Sequence, residues 1–222
     1  MQINRLAETV AEACADAACR VTKISNGFTI HDLGLEAFIT CHVANLIFEK
    51  FGIGKGRNII VYPELLLGDL YDDIHKNCGG KRNPKKRGRH PRGAGLQARV
   101  DLAFYKSKVP YCVLEAKRRA NPSAFRGDIE KIRHILSRGS YSIRPLKYGI
   151  ICGVAEINAR NKEKGFNKTK FHVKIPKYKN IRFDIFNKKI ILEKPNSFET
   201  VDGKKGIIFG YTGVVILMTW VE

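Results

Sequence analysis

The chain has 222 residues, of which 44% are hydrophobic and 27% charged, a composition typical of one globular domain and unlike that of a disordered chain. Lysine and arginine number 40 against 21 aspartate and glutamate residues, so the formal net charge is +19. This excess favours a polyanionic partner, with nucleic acid as the first choice and an anionic membrane surface as the second.

Two further classes of protein are disfavoured by the sequence. No segment approaches the roughly 18 consecutive apolar residues of a membrane span, and acidic residues at 8, 12 and 16 interrupt the N-terminal stretch, unlike a signal peptide. The cysteines form no CxxC pair and have no matching histidine spacing, which argues against a zinc site. We therefore expect a reducing, cytoplasmic setting, with these cysteines unpaired: Cys14, Cys19, Cys41, Cys78, Cys112 and Cys152.

The first third of the chain predicts two helices and a strand. Residues 2–24 form an Ala-rich helix, which either packs on the core or pairs with a second copy of the chain. A second helix is predicted over 35–51, with Asp32 as its N-cap. The apolar run at 58–67 predicts the first core strand, and Pro63 is expected to bend or end it.

From Gly68 to Gly95 no periodic pattern is visible, and glycine, proline and asparagine punctuate the segment. Such a composition predicts a long loop without a core of its own. Its centre is strongly basic, and we expect it to grip phosphate groups of a nucleic acid; the alternative is a solvated basic loop. The basic residues are Lys81, Arg82, Lys85, Lys86, Arg87, Arg89 and Arg92.

The stretch from Leu96 to Arg118 predicts a β-hairpin. In its first strand the even-numbered residues 96–104 are apolar and are expected to share one face. A turn centred near Lys108 sets Asp101 directly across from Glu115, with Cβ atoms about 4.5–5.5 Å apart. Two carboxylates so close repel each other unless a cation lies between them, and a divalent ion is the usual solution. Lys117 is expected on the same face, beside that cation.

The remainder of the chain predicts one more helix and several strands. Ser123 is the expected N-cap of a helix that ends at Gly139, and a continuous apolar run at 148–154 predicts a strand buried on both faces. Within that helix, Asp128 and Lys131 are one turn apart and are able to pair with each other. Residues 181–194 predict two short strands around Asn187–Lys188, and residues 206–221 predict two strands broken at Thr212–Gly213.

Asp101 and the triplet Glu115-Ala116-Lys117, on two strands of one hairpin, resemble the motif of the PD-(D/E)XK nuclease superfamily. Val100 stands where many members carry proline. The resemblance implies an α/β, restriction-endonuclease-like αβββαβ core over about 35–154, with a mixed central sheet flanked by helices. An N-terminal helix and a C-terminal β extension over 155–222 complete a single nuclease domain, 1–222.

The resemblance also implies an activity, that of a Mg²⁺-dependent DNA endonuclease of restriction type. Asp101, Glu115 and the Ala116 carbonyl are then the metal ligands, with Mn²⁺ as a substitute for Mg²⁺. Lys117 positions or deprotonates the attacking water, or stabilises charge on the phosphate. Glu36 and Glu64 are further candidate site acids; their alternatives are a helix-capping charge and a solvated charge at a strand end.

The expected partner is DNA, cut by a homodimer with one site for each strand, with no membrane and no small-molecule cofactor involved. In the resembling family the helix after the hairpin aligns the active-site lysine, a role open to Asp128 or Lys131. A second interpretation is a non-catalytic nucleic-acid-binding protein whose acids and lysine form a surface salt-bridge cluster. A third is a repair, junction or RNA-directed nuclease of the same fold.

Overall fold

The computed structural model describes residues 2–25, 36–52, 59–76, 98–139, 146–159, 166–167, 171, 175–199 and 205–221. The helices in these ranges are α1 (Ile3–Ile24), α2 (Glu36–Phe51), α3 (Leu67–Lys76) and α4 (Pro122–Gly139). The strands are β1 (Ile59–Leu66), β2 (Arg99–Lys106), β3 (Val109–Lys117), β4 (Tyr148–Asn158), β5 (Ile181–Glu199) and β6 (Lys205–Trp220). None of the four helices has both the length and the apolar character that a membrane crossing requires.

All six strands belong to one mixed sheet with the order β1-β2-β3-β4-β6-β5. Neighbouring strands are antiparallel except β3 and β4, which are parallel and joined by the crossover helix α4. The C-terminal strands extend the same sheet, because β6 pairs with β4 and β5 pairs with β6. The prediction of an α/β fold with a mixed sheet flanked by helices is therefore confirmed.

Each face of the sheet carries its own apolar core. On one face α1 and α2 pack over Leu102, Phe104 and Leu114, which are fully buried. On the other face α3 and α4 pack over Ala103 and Val113. Helix α1 lies against β4, β5 and β6, so it packs on the core, one of the two outcomes that its sequence left open. Because helices cover both faces, the central strands are apolar on both sides.

The hairpin of β2 and β3 has the register that the sequence predicted. Its two-residue turn, Ser107–Lys108, has φ values of 52° and 66°, as a type I′ turn requires. A bulge between Phe104 and Tyr105 shifts the pairing by one residue, so that Leu102 pairs with Leu114. Counting one residue further along each strand then brings Asp101 opposite Glu115.

The sequence left open whether Pro63 bends or ends the first strand. The strand does not end there but continues to Leu66 along the edge of the sheet. An edge strand tolerates proline because one side of its backbone needs no partner. The irregularity falls on the next residue, Glu64, whose φ is 51°.

The alternation expected along β2 fails between Val100 and Leu102. Val100 joins the core under α3 and α4, whereas Leu102 joins the opposite core.

Helix α3 corrects the prediction of a structureless loop from Gly68 onwards. Its residues Leu67, Leu70, Tyr71 and Ile74 are buried against the sheet, and their spacing is that of one helical face. Short length and an interrupting glycine hid this periodicity. The basic residues between 81 and 92, and the expected N-cap Asp32, lie outside the described residues.

Both breaks predicted in the C-terminal strands are wrong. Residues 187 and 188 pair with 214 and 213 of β6, so β5 continues through Asn187–Lys188 without a turn. Strand β6 is likewise unbroken at Thr212–Gly213. A Cβ atom on Gly213 would lie 1.8 Å from the Ala11 carbonyl oxygen. This glycine therefore permits the close approach of α1 instead of interrupting the strand.

The N-cap of α4 is Asn121 and not Ser123. The Asn121 side-chain oxygen accepts a hydrogen bond from the Ser123 backbone N–H at 3.0 Å, and its carbonyl accepts one from Phe125 N–H. Pro122 occupies the first helical position, where its missing N–H costs nothing. The apolar residues of this helix share one face and are fully buried: Phe125, Ile129, Ile132, Ile135 and Leu136.

The cysteines that the structure describes form no disulfide. Cys14, Cys19, Cys112 and Cys152 are buried within apolar surroundings, and Cys41 is exposed on α2. A buried thiol of this kind packs as a small hydrophobic side chain. Cys78 lies outside the described residues.

Candidate active site

Asp101 and Glu115 meet where the backbone pairing of β2 with β3 ends. The last pair of the ladder is Leu102 with Leu114, immediately before these two acids. Beyond it, the Asp101 carboxylate replaces a backbone partner: its Oδ2 accepts a hydrogen bond from the Ala116 N–H at 2.7 Å. This bond fixes the Asp101 carboxylate of β2 relative to β3, the strand that carries Glu115 and Lys117.

Helix α4 supplies one acid and one lysine to the same region. Lys131 Nζ lies 2.6 Å from Glu115 Oε1, and Lys117 Nζ lies 3.3 Å from Asp128 Oδ2. The two charges on α4 therefore pair with β3 and not with each other, which corrects the local pairing considered from the sequence. Lys131 also donates a hydrogen bond to the Arg99 carbonyl oxygen at the start of β2.

The two acids that face the lysines are buried to different degrees. The Glu115 side chain is 4% exposed and that of Asp128 is 14% exposed. Burial raises the pKa of Glu115 to about 7, because the Lys131 ammonium only partly compensates and the Asp101 charge opposes ionisation. Burial likewise raises the pKa of Asp128, against the lowering effect of Lys117 and Lys131.

In this region carboxylates outnumber ammonium groups. Three carboxylates, those of Asp101, Glu115 and Asp128, face two ammonium groups, those of Lys117 and Lys131. Glu115 Oε1 and Asp128 Oδ2 are buried ion-pair partners, yet neither accepts a hydrogen bond of normal geometry. Buried acids in this condition are costly, because desolvation penalises a charge that is incompletely paired.

Lys117 points to the same group of acids. Burial by itself lowers its pKa, but the carboxylates of Asp128, Glu36 and Glu115 outweigh this effect, so the pKa of Lys117 is raised. The lysine is therefore held in its charged form in the arrangement described. A fixed ammonium beside two carboxylates is suited to neutralise a phosphoryl oxygen and to donate hydrogen bonds.

Gly153 of β4 allows the segment after Lys117 to lie close to this strand. A Cβ atom on Gly153 would come within 3.0 Å of the Lys117 carbonyl oxygen. The Ala120 N–H donates to the Val154 carbonyl oxygen at 2.8 Å, which closes the turn over this glycine. Arg118 and Arg119 are exposed in this turn, so two basic residues directly follow Lys117 along the chain.

Glu36 and Glu64 have different positions relative to the acids. Glu36 is the first residue of α2, and its Oε1 accepts a hydrogen bond from the Arg118 N–H at 3.4 Å. Its charge also acts on Lys117, so the structure brings Glu36 to the rim of the region. Glu64 falls opposite Asp101 in the β1–β2 register, but its side chain is 60% exposed and approaches Arg99, at 4.0 Å.

Sequence reasoning did not assign three arginines that border the acids: Arg99, Arg118 and Arg119. Arg99 precedes Asp101 by two residues and its side chain is 57% exposed. Arg118 and Arg119 continue the basic run that begins at Lys117. That run, directly after the second acid, was a usable signal, but the longer basic segment at 81–92 drew the interpretation away from it.

The donors at this point of the sheet fit a hard divalent cation. Mg²⁺ prefers oxygen ligands, and three are available here: the carboxylates of Asp101 and Glu115 and the carbonyl of Ala116. The carboxylates of the region also outnumber its ammonium groups. In the part of the chain that the structure describes, no three or more histidine, cysteine or acidic side chains are gathered as a metal cluster. Mg²⁺ does not need one, since it typically uses one or two carboxylates together with water and substrate phosphate.

Comparison of the chain with protein-family models, with curated proteins and with solved structures finds no match.

Proposed function

We propose that the chain is a Mg²⁺-dependent nuclease that hydrolyses phosphodiester bonds of DNA, with its active site at Asp101, Glu115 and Lys117. The observation that carries the proposal is the meeting of these three side chains at one point of the sheet. A nearly buried carboxylate whose pKa is raised by burial and by specific charged neighbours is a feature of many catalytic sites. The net charge of +19 adds a reason to expect a polyanionic substrate.

We further propose that α2, β1, β2, β3, α4 and β4 form a restriction-endonuclease-like core. The support is their order along the chain, helix, three strands, helix and strand, together with the acid pair on the second and third strands. Helix α3 is then an insertion between the first two strands, and α1, β5 and β6 are additions to the core. The position of the acids at the centre of this order is what the resemblance requires.

Each residue has a defined role in this proposal. Asp101, Glu115 and the Ala116 carbonyl hold Mg²⁺, which supplies an activated water and neutralises charge on the phosphate. Lys117, held charged by its acidic neighbours, stabilises the phosphoryl oxygens. Arg99, Arg118 and Arg119 contact backbone phosphates beside the scissile bond. The basic residues at 81–92 bind phosphates further along the duplex, and two chains acting as a dimer cut both strands.

The test is incubation of the purified protein with supercoiled plasmid DNA in Mg²⁺ and in excess chelator. We expect nicking and linearisation with Mg²⁺ or Mn²⁺ and none in chelator. Lys117→Met should lower the rate about 100-fold or more while DNA binding in chelator is retained. Lys106→Met removes an exposed lysine at the other end of β2, and this control should cleave like the wild type.

The same assay separates the alternatives. Parallel reactions with single-stranded RNA and with branched DNA identify an RNA-directed or junction nuclease by which substrate disappears first. A protein that binds DNA but cleaves none of these substrates in Mg²⁺ or Mn²⁺ would contradict the proposal and favour a non-catalytic binding protein. In that case replacement of Lys85, Lys86, Arg87 and Arg89 should abolish function, while changes at Asp101 and Glu115 should leave it intact.

A further inference from the structure

Lys131 occupies the position at which a metal ion would contact Glu115. Its Nζ atom lies 2.6 Å from Glu115 Oε1 and donates a hydrogen bond to the Arg99 carbonyl oxygen. The lysine side chain is 25% exposed, whereas that of Glu115 is 4% exposed. One carboxylate oxygen is thus used by an internal cation in the arrangement described.

An ammonium group and a divalent cation cannot share this oxygen without strong repulsion. The Coulomb energy of two positive charges about 4 Å apart is several kcal/mol even in a partly screened setting. A cation that binds Asp101 and Glu115 must therefore displace Lys131 from Glu115. Among the residues that the structure describes, no ammonium group pairs with Asp101 in this way, and its carboxylate accepts a hydrogen bond from the neutral Ala116 N–H.

A second acid is available to receive the displaced lysine. Asp128 lies one helical turn before Lys131 on α4, and the charge of Lys131 already lowers the pKa of Asp128. The present ion-pair partner of Asp128 is Lys117, at 3.3 Å. A shift of Lys131 towards Asp128 would therefore compete with Lys117 for the same carboxylate.

We propose that Lys131 is a displaceable counter-ion of the metal site. It neutralises Glu115 while no metal is bound, leaves Glu115 when a divalent cation binds, and then pairs with Asp128, which releases Lys117 towards the substrate phosphate. The inference rests on the proposed function, because it assumes the cation site at Asp101 and Glu115. It adds a positioning role for the lysine and acid of α4 and links the metal site to the availability of Lys117.

The test compares Lys131→Met with Arg133→Met by calorimetric titration with MgCl₂ and MnCl₂. Both variants remove one positive charge from α4, but Arg133 pairs with Glu130 at the surface, with side chains 40% and 47% exposed. Loss of the competing charge should tighten metal binding of Lys131→Met by about tenfold or more. Arg133→Met should bind the metal like the wild type.

Thermal unfolding supplies a readout without catalysis. In chelator Lys131→Met should unfold at a lower temperature than the wild type, because Glu115 and Asp101 then face each other without a cation. Saturating Mn²⁺ should raise its unfolding temperature by more than it raises that of the wild type. A double-mutant cycle with Asp128→Asn should show that Asp128 contributes less to metal affinity once Lys131 is absent.

If Lys131→Met fails to fold, Lys131→Arg provides a second test of the proposal. Its guanidinium group should hold the carboxylate more firmly and weaken metal binding a few-fold. Metal affinity of Lys131→Met equal to or weaker than that of Arg133→Met, no metal binding by either, or tighter binding by Lys131→Arg, would overturn the counter-ion role. Cleavage of plasmid by the wild type decides the nuclease function separately, so tighter binding without cleavage would support the counter-ion and defeat only the nuclease.

Discussion

Two helices cover the central sheet in opposite ways. Helix α1 lies on β4, β5 and β6 with small apolar residues, and its ion pairs stay at the rim, as between Asp16 and Arg20, whose side chains are 35% and 60% exposed. Helix α4 packs an apolar stripe as well, but it also brings Asp128 and Lys131 against Lys117 and Glu115 of β3. The α1 half of the protein, meaning the core under α1 and α2, is thus stabilised mainly by close packing.

The α4 half, meaning the core under α3 and α4, contains charged side chains where apolar residues would cost less free energy. Replacing a buried ion pair by well-packed hydrophobic residues is often neutral or stabilising, so its retention points to a use other than stability. Around Glu115 three carboxylates face two ammonium groups, and this excess of acids is the reason for proposing a cation site there. The difference between the two halves therefore supports the proposal that the active site lies under α4.

The largest expected effect is on the α1 half, through Gly213→Ala. The added Cβ atom would lie 1.8 Å from the Ala11 carbonyl oxygen, so α1 must move off the sheet. We expect a loss of at least about 4 kcal/mol in the free energy of unfolding, measured by urea denaturation. Gly127→Ala on α4 is the matched control, since a Cβ atom there meets nothing within 4 Å. It should stabilise the protein by about 0.5–1 kcal/mol.

An unfolding free energy of Gly213→Ala equal to that of the wild type would contradict the close packing of α1 on β6.

The second effect concerns the α4 half and depends on pH. Burial raises the pKa of Glu115 from 4.5 to about 7, so the folded chain keeps the proton to a higher pH than the unfolded chain does, and the carboxylate forms above about pH 7. The stability that this proton provides is fully present below pH 4.5 and is lost as the pH rises to about 7. In chelator, Glu115→Gln should therefore gain about 3 kcal/mol relative to the wild type between pH 4.5 and pH 8.

The measurement is urea denaturation of both proteins at intervals across this pH range. Glu193→Gln is the control, because Glu193 is 86% exposed and pairs with Lys23 at the surface. Its pH dependence should match that of the wild type. A constant difference between Glu115→Gln and the wild type would show that Glu115 ionises as freely as an exposed acid.

The smallest effect is expected from a hydrogen bond under α1. Thr22 and Tyr211 join α1 to β6 through their hydroxyl groups at 2.6 Å, and both residues are buried. Tyr211→Phe should cost about 1 kcal/mol, because Thr22 keeps its second bond, to the Ala18 carbonyl oxygen. Thermal unfolding at one fixed pH measures this loss. Tyr62→Phe, at an exposed position on β1, is the control and should change stability little.

Local sequence rules were sufficient for the elements that carry the acids. A short turn near Lys108 predicted Asp101 opposite Glu115, and the observed pair of Leu102 with Leu114 agrees with that register. The alternation expected along β2, however, fails between Val100 and Leu102. The apolar stripe of α4 and the fully apolar β4 were equally plain. Helix α3 was also within reach, because its buried residues have helical spacing, but its short length and its glycine resembled a loop.

The remaining errors come from tertiary contacts that local patterns do not contain. Asn187–Lys188 resembles a turn, yet β6 pairs along the whole of this segment and keeps it extended. Gly213 resembles a break, yet it is the residue that lets α1 approach. The pairing of Lys131 with Glu115 was equally hidden, since a partner one turn away on the same helix satisfied the local rule.

The central claim is that the acid pair under α4 hydrolyses phosphodiester bonds, and plasmid cleavage by Asp101→Asn tests it most directly. The amide oxygen of the variant can still accept the Ala116 N–H bond, so the fold should be retained. Asp16→Asn makes the same change in the α1 half. We expect Asp101→Asn to lose cleavage in Mg²⁺ while it still binds DNA, and Asp16→Asn to cleave like the wild type. Equal cleavage by Asp101→Asn and the wild type would contradict the account.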